Sequence, residues 1–263
     1  MNKRVLSCML ILLGLTTALF AAGNAETSAV WNKANAVADS SVGYIPLARS
    51  LTFEQLTKDG QVIDSKTAEV SNELTHYGST IERTVLGDNS ILALADVIYD
   101  GTVITPFEND LMDYSYTYVE DQTVNGVKCA VYDTKIAFDQ ALLYFNDTYS
   151  DSGNIIGWNS DDGELSGDAT IRVYVDKATG AIVKQINNYS LADSKVFNNL
   201  AFTQEVTYES KTVDGKTIAY PINTITKGSY KTITSGSSIK DAVYFQIIDN
   251  ASNVVLDSKF SRG

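Results

Sequence analysis

From Leu47 onward, apolar and polar residues mostly alternate with the period of two that a half-buried strand requires. In LARSLTFEQLT, Leu47, Leu51 and Phe53 share one side, and Lys58-Asp59-Gly60 turns the chain into QVIDSKTAEVSNELT. STIERTVL continues this meander. DYSYTYVEDQTVNGVKCAVYDTKI reads as a hairpin about Asn125-Gly126, the pair a type I′ turn favours because both central residues need positive φ. Beyond residue 168 come ATIRVYVD and AIVKQINNYS about a turn at Lys177 to Gly180, then AFTQEVTYES and KTIAYPINTITKG about Asp214-Gly215. DAVYFQIID with NVVLDSKF completes the series. Repeated hairpins with few helices predict a mainly β fold: an antiparallel meander forming an open, half-closed β-barrel, with a few short helices across one side.

Three segments break the alternation. SAVWNKANAVAD (28–39) carries Val30, Ala34 and Val37 near helical spacing, with Ser28 as N-cap. DNSILALADVIY (88–99) fits a helix capped near Asp88 to Ser90 or a buried strand, and the helix is favoured because Ile91, Leu94, Ala95 and Ile98 share one face. The third predicted helix runs from about Asp139 to Asp147 and holds the apolar run Ala141 to Phe145. Between Tyr149 and Asp168 the chain is rich in Gly, Ser, Asn and Asp, the composition of a long surface loop.

The N-terminus adds a destination. Lys3 and Arg4 precede an apolar run from Val5 to about Phe20 and small residues through Ala25, the order of a secretory signal peptide. The run is shorter than the roughly 20 residues of a membrane-spanning helix. Residues 1–25 are read as a cleaved signal and 26–263 as one domain, exported to the periplasm or secreted. Removing Lys3 and Arg4 takes the formal charge from −12 to −14. Such a charge repels nucleic acid and anionic membrane surfaces, so no nucleic-acid partner is expected.

After cleavage Cys129 is the single thiol, which excludes an internal disulfide and fits a small buried side chain better than a reactive one. His76, the one histidine, sits at a predicted strand end and reads as a surface residue, so neither a nucleophile–base pair nor a zinc site is indicated. No cofactor is expected and no catalytic residue stands out. The acidic stretch with Asp161, Asp162, Glu164 and Asp168 lacks the ligand spacing of an EF-hand loop and reads as a solvated loop; calcium at 149–168 stays open. Fifteen Tyr against nine Phe and two Trp is a stronger bias. Tyr114, Tyr116 and Tyr118 project from one face of a strand, which suits cross-strand packing or a surface for glycan or protein. Ile171, Val173 and Val175 share one strand face, and Val243, Phe245 and Ile247 another. A sheet curved around them, with Leu142 and Phe145 of the apolar helix laid across, makes a pocket for a hydrophobic ligand. The same pattern fits a filled core.

In its signal, N-terminal helix and strand meander, in the hairpin VNGVKCAVYDTKI, and in VYVDKATGAIVKQ followed by TVDGKTIAYP with Asp214, Gly215 and Pro221, the chain resembles the LolA-like periplasmic family of outer-membrane lipoprotein-sorting proteins and related lipid-binding domains. The resemblance implies an open barrel whose apolar interior shelters acyl chains without catalysis. It implies an extracytoplasmic monomer that carries or senses lipid or lipoprotein acyl chains, with an envelope lipoprotein or membrane receptor as partner. The alternative is a secreted module that recognises glycan or protein through Tyr-rich surface.

Overall fold

The structure is a computed structural model and describes residues 27–41, 43–74, 81–87, 116–137, 166–192, 197–232 and 242–256. Among the described residues one helix, α1 (27–41), precedes ten strands. These are β1 (Tyr44–Leu56), β2 (Val62–Leu74), β3 (Ile81–Gly87), β4 (Thr117–Val124), β5 (Val127–Ala137), β6 (Ser166–Asp176), β7 (Ile182–Ala192), β8 (Phe197–Val213), β9 (Lys216–Thr232) and β10 (Val243–Leu256). They form one antiparallel sheet in the order β3-β2-β1-β10-β9-β8-β7-β6-β5-β4, which does not close, since β3 and β4 are its two ends. The expected mainly β, open meander is what the chain adopts. The signal at 1–25, the predicted helices at 88–99 and 139–147 with Leu142 and Phe145, His76, Tyr114 and most of the acidic loop lie outside the described residues.

Turn chemistry sets the hairpins. Asn125 (φ 49°) and Gly126 (φ 84°) join β4 to β5, and Asp214 (φ 50°) and Gly215 (φ 77°) join β8 to β9, so both central positions of each turn are left-handed. Between β6 and β7, Asp176 folds the turn on itself: its carboxylate accepts from Ala178 N at 2.9 Å and Thr179 Oγ1 at 2.6 Å. Pro221 sits inside β9, where it cannot donate to the ladder. The register of β8 against β9 shifts between Thr207 and Tyr208, opposite this proline, and the irregularity accommodates the lost bond.

One expectation is corrected. The described parts of DAVYFQIID and NVVLDSKF run on as one strand, Val243–Leu256, because β1 pairs along nearly all of it while β9 pairs only with its first half. β1 therefore lies between β2 and β10, and the N-terminal three strands join the rest of the sheet through the last strand.

Helix α1 lies on one face of this sheet and buries Val30, Ala34 and Val37. Burying a Val stabilises by about 1.5–3 kcal/mol, so this stripe binds the helix firmly. Polar contacts fix its direction. Tyr132 of β5 donates to Thr27 O at 2.6 Å near the N-terminal end, Lys33 Nζ reaches Ala178 O at 3.2 Å in the β6–β7 turn, and at the C-terminal end Ser41 Oγ accepts from Ala219 N of β9 at 2.9 Å. Gly180 (φ 82°) makes the crossing possible, because a Cβ there would lie 2.6 Å from Lys33 Cβ and 2.7 Å from its carbonyl carbon.

Candidate ligand-binding face

The face under α1 is the inner face, and the strand registers order it into cross-strand rows. The first row runs Ala169, Tyr189, Phe202, Gly228, Phe245. Tyr189 and Phe202 stack with ring centroids 4.7 Å apart. Gly228 carries no side chain between Phe202 and Phe245, and a Cβ there would approach Phe202 Cβ to 2.5 Å. The second row runs Thr134, Ile171, Asn187, Gln204, Thr226, Ile247, Phe53, and the third Tyr132, Val173, Gln185, Val206, Thr224, Asp249, Leu51, Ala68. Ala130 pairs with Val175, and Val175 with Ile182.

These rows divide the predicted residues. Ile171, Val173 and Val175 are almost completely buried in one apolar cluster with Val30 and Ala34 of α1, Leu51, Ala68, Val70, Ala130, Tyr132, Phe245 and Ile247. Trp31 extends the cluster, its ring 4.6 Å from Tyr132 and 4.8 Å from Tyr116. Tyr118 meets Tyr132 edge-on at 5.9 Å and is 38% exposed, so the described part of the tyrosine stripe packs around Tyr132 and reaches solvent at its end. Phe245 lies in the first row; Val243, two residues earlier, is half-buried at the strand end.

Sequence reasoning missed a line of buried polar groups through the middle of the same face. Tyr208 donates to Gln185 Oε1 at 3.1 Å, Gln185 Nε2 to Asn187 Oδ1 at 2.8 Å, Asn187 Nδ2 to Gln204 Oε1 at 3.0 Å, and Gln204 Nε2 to Thr226 Oγ1 at 3.3 Å. Each amide accepts at oxygen and donates at nitrogen, so the bonds run head to tail across β7, β8 and β9 and reinforce one another. Gln185, Asn187, Gln204 and Thr226 are fully buried. Two strands on, Arg49 Nε donates to Asp249 Oδ2 at 3.0 Å and its terminal nitrogen to the same oxygen at 2.5 Å, while the buried Asp249 Oδ1 has no hydrogen-bond partner. The available signal was the inverted alternation in KQINNYS, where polar Gln185 and Asn187 share a face with Tyr189.

Ionisable groups elsewhere serve the scaffold. Burial, with help from Asp176, pushes the Cys129 thiol up to about 11, so it behaves as a small apolar side chain. Burial likewise raises Tyr132 to about 12, with Tyr118 and Asp121 adding to the effect. On the outer face Arg172 holds Asp133 with two bonds of 2.7 Å, which raise the guanidinium further above its ordinary range. Asp168, the described member of the acidic stretch, pairs with Lys135 at 2.6 Å. Among the described residues no three His, Cys, Asp or Glu side chains are grouped to hold a metal ion, and no helix is long and apolar enough to cross a membrane.

No family model and no curated protein matches the sequence. Several solved structures align along most of the chain, and two of them carry descriptions from the group the sequence resembles. One is a LolA superfamily protein from Nitrosomonas europaea, 8% identical over 89% of this chain and 97% of that one, with a TM-score of 0.33. Another is a domain described as an outer membrane lipoprotein-sorting protein from Vibrio parahaemolyticus, 12% identical over 80% and 86%, with a TM-score of 0.31. A DUF1329 family protein from Desulfovibrio piger is 11% identical over 88% and 93%, with a TM-score of 0.33. The likeness is one of outline.

Proposed function

We propose that this is an extracytoplasmic binding protein that shelters or senses a hydrophobic ligand, lipid or lipoprotein acyl chains, on the inner face of its open sheet. The observation that carries this reading is a single apolar cluster reaching from β2 to β5 on one face of a sheet whose ends, β3 and β4, are not joined. An open seam beside an apolar face is what a greasy ligand needs to enter and leave, and each CH₂ it buries contributes about 0.8 kcal/mol. Ile171, Val173 and Val175 form the floor of the site in this reading, Val243 and Phe245 its far wall, and Leu142 and Phe145 its cover. The expected signal at residues 1–25 delivers the chain to the periplasm or beyond, where an envelope lipoprotein or a membrane receptor is its partner and the protein acts as a monomer. Catalysis and cofactors have no part in it.

The test is native mass spectrometry of the protein purified from the periplasm, followed by organic extraction. Co-purified lipid, and enhanced fluorescence of the apolar probe N-phenyl-1-naphthylamine that added palmitate reverses, are the expected results. A clean apo mass together with a silent probe overturns the proposal.

A further inference from the structure

A shallow groove of about 410 Å³ crosses β7, β8, β9 and β10 beside the β1–β2 turn. The registers place its working side chains on the outer face. Tyr189, Phe202, Gly228 and Phe245 form the first inner row, so the residues next to them in sequence, Asn188, Thr203, Lys227, Ser229 and Tyr244, turn the opposite way. Asn188, Thr203 and Lys227 are exposed, as is Lys58 in the adjoining turn. Tyr189, Phe202, Gly228 and Phe245 of that inner row also line the groove, so it borders the inner face, and its exposed polar side chains set it apart.

Its chemistry differs from the rest of the surface. Among the described residues two lysines line it and no carboxylate does, in a chain with a formal charge of −12. Neither lysine belongs to an ion pair among the described residues, whereas Lys135, Lys177 and Lys184 each hold a carboxylate. Between the lysines lie hydroxyl and amide groups. Thr203 donates to Asn188 Oδ1 at 2.8 Å, which orients the amide, and Asn188 Nδ2 has only a 3.5 Å contact with Thr170, at the limit of a hydrogen bond. Tyr244 adds an aromatic side chain. The volume is within the range of small-molecule sites, roughly 300–1,000 Å³. A ligand suited to this lining is rich in hydroxyls, carries a negative charge and has a face to lay on an aromatic ring.

We infer that the groove binds an acidic saccharide, one or two sugar rings bearing a carboxylate or phosphate, with Lys58 and Lys227 on the acid group and Asn188, Thr203, Ser229 and Tyr244 on the sugar. An ammonium contributes a charge-assisted bond to either acid, and salt weakens such exposed contacts.

The test is isothermal titration of the mature protein with digalacturonate, glucose 1-phosphate, lactose and inorganic phosphate, repeated on the double variant Lys58→Gln/Lys227→Gln. Both lysines are exposed, so the variant is expected to melt at the wild-type temperature, and a melt that differs directs the comparison to the single variants. Binding of either acidic sugar, weakened about tenfold by the double substitution, with lactose at least about tenfold weaker, is the expected result. No heat from either acidic sugar at about 10 mM, where even weak sites fill, overturns the proposal. So does equal affinity in the double variant. Phosphate binding as tightly as glucose 1-phosphate means an anion site only, and also overturns it. Co-purified lipid is unaffected by the lysine substitutions, which separates this outcome from that of the inner face.

Discussion

Under α1, the inner side chains of β5 and β6 are Ala130, Tyr132, Ile171, Val173 and Val175, and the opposite face of the same strands carries Cys129, Val131 and Tyr174 in a second apolar cluster. From β7 to β10 the inner side chains at the same level are mostly polar, Gln185, Asn187, Gln204, Thr224, Thr226 and Asp249 with Val206 and Ile247 among them, and equally hidden from water. The first region is held by non-directional burial and tolerates exchange among apolar residues of similar volume. The second depends on each polar group keeping its partner, because an unpaired buried donor or acceptor costs its full desolvation. One sheet face thus contains a forgiving half and an exacting half.

The largest expected effect lies in the exacting half. Arg49→Met leaves Asp249 buried without its counter-charge and is expected to cost about 3–5 kcal/mol in urea unfolding. Arg172→Met removes a partly exposed pair on the outer face and should cost about 1 kcal/mol or less. Equal losses from the two would erase the distinction between buried and surface pairs in this fold.

Next in size is the amide line. Asn187→Leu removes the acceptor of Gln185 Nε2 and the donor to Gln204 Oε1, at about 2–3 kcal/mol. Adding Gln204→Leu removes the second of those groups, so the double variant should lose less than the sum of the two single losses. Strict additivity in this cycle would mean that the bonds do not act together.

An effect of pH sharpens the picture of the apolar half. In the unfolded chain the Cys129 thiol ionises near its ordinary 9.0, whereas in the fold it holds its proton to about 11. The native state then binds more protons than the unfolded state between these values, so stability is full below pH 9 and falls as pH rises through 11. The loss is at most about 3 kcal/mol, and Cys129→Ala should remove most of it from a pH series of denaturant melts. The same burial predicts a thiol silent to Ellman's reagent until the protein unfolds.

Local structure was legible in the sequence. The 28–39 periodicity corresponds to the helix at 27–41, and the turns at Asn125-Gly126 and Asp214-Gly215 fall where their φ requirements put them. Pairing between distant strands was not. That β1 docks on β10 depends on a match of two 12- to 14-residue surfaces at opposite ends of the chain, which no local pattern encodes. The apolar stripe of Ile171, Val173 and Val175 was readable as one buried face, but not that α1 packs there. The polar line was missed because period-two alternation separates two faces without saying which is buried. With Gln185 and Asn187 on one side and Lys184 and Asn188 on the other, both faces of β7 look wet. Burial of the amides is decided by neighbours on β8 and β9, which sequence position alone does not reveal.

The place of β10 in the strand order bears on how the molecule comes to exist. Arg49 and Asp249, 200 residues apart, meet only when this final strand slides between β1 and β9. Until then β1, β2 and β3 form an orphan ribbon with no route into the larger sheet, and contacts this distant in sequence form slowly. Joining of the two parts of the sheet thus waits on β10, and a nick or stop before Val243 removes the strand that joins them.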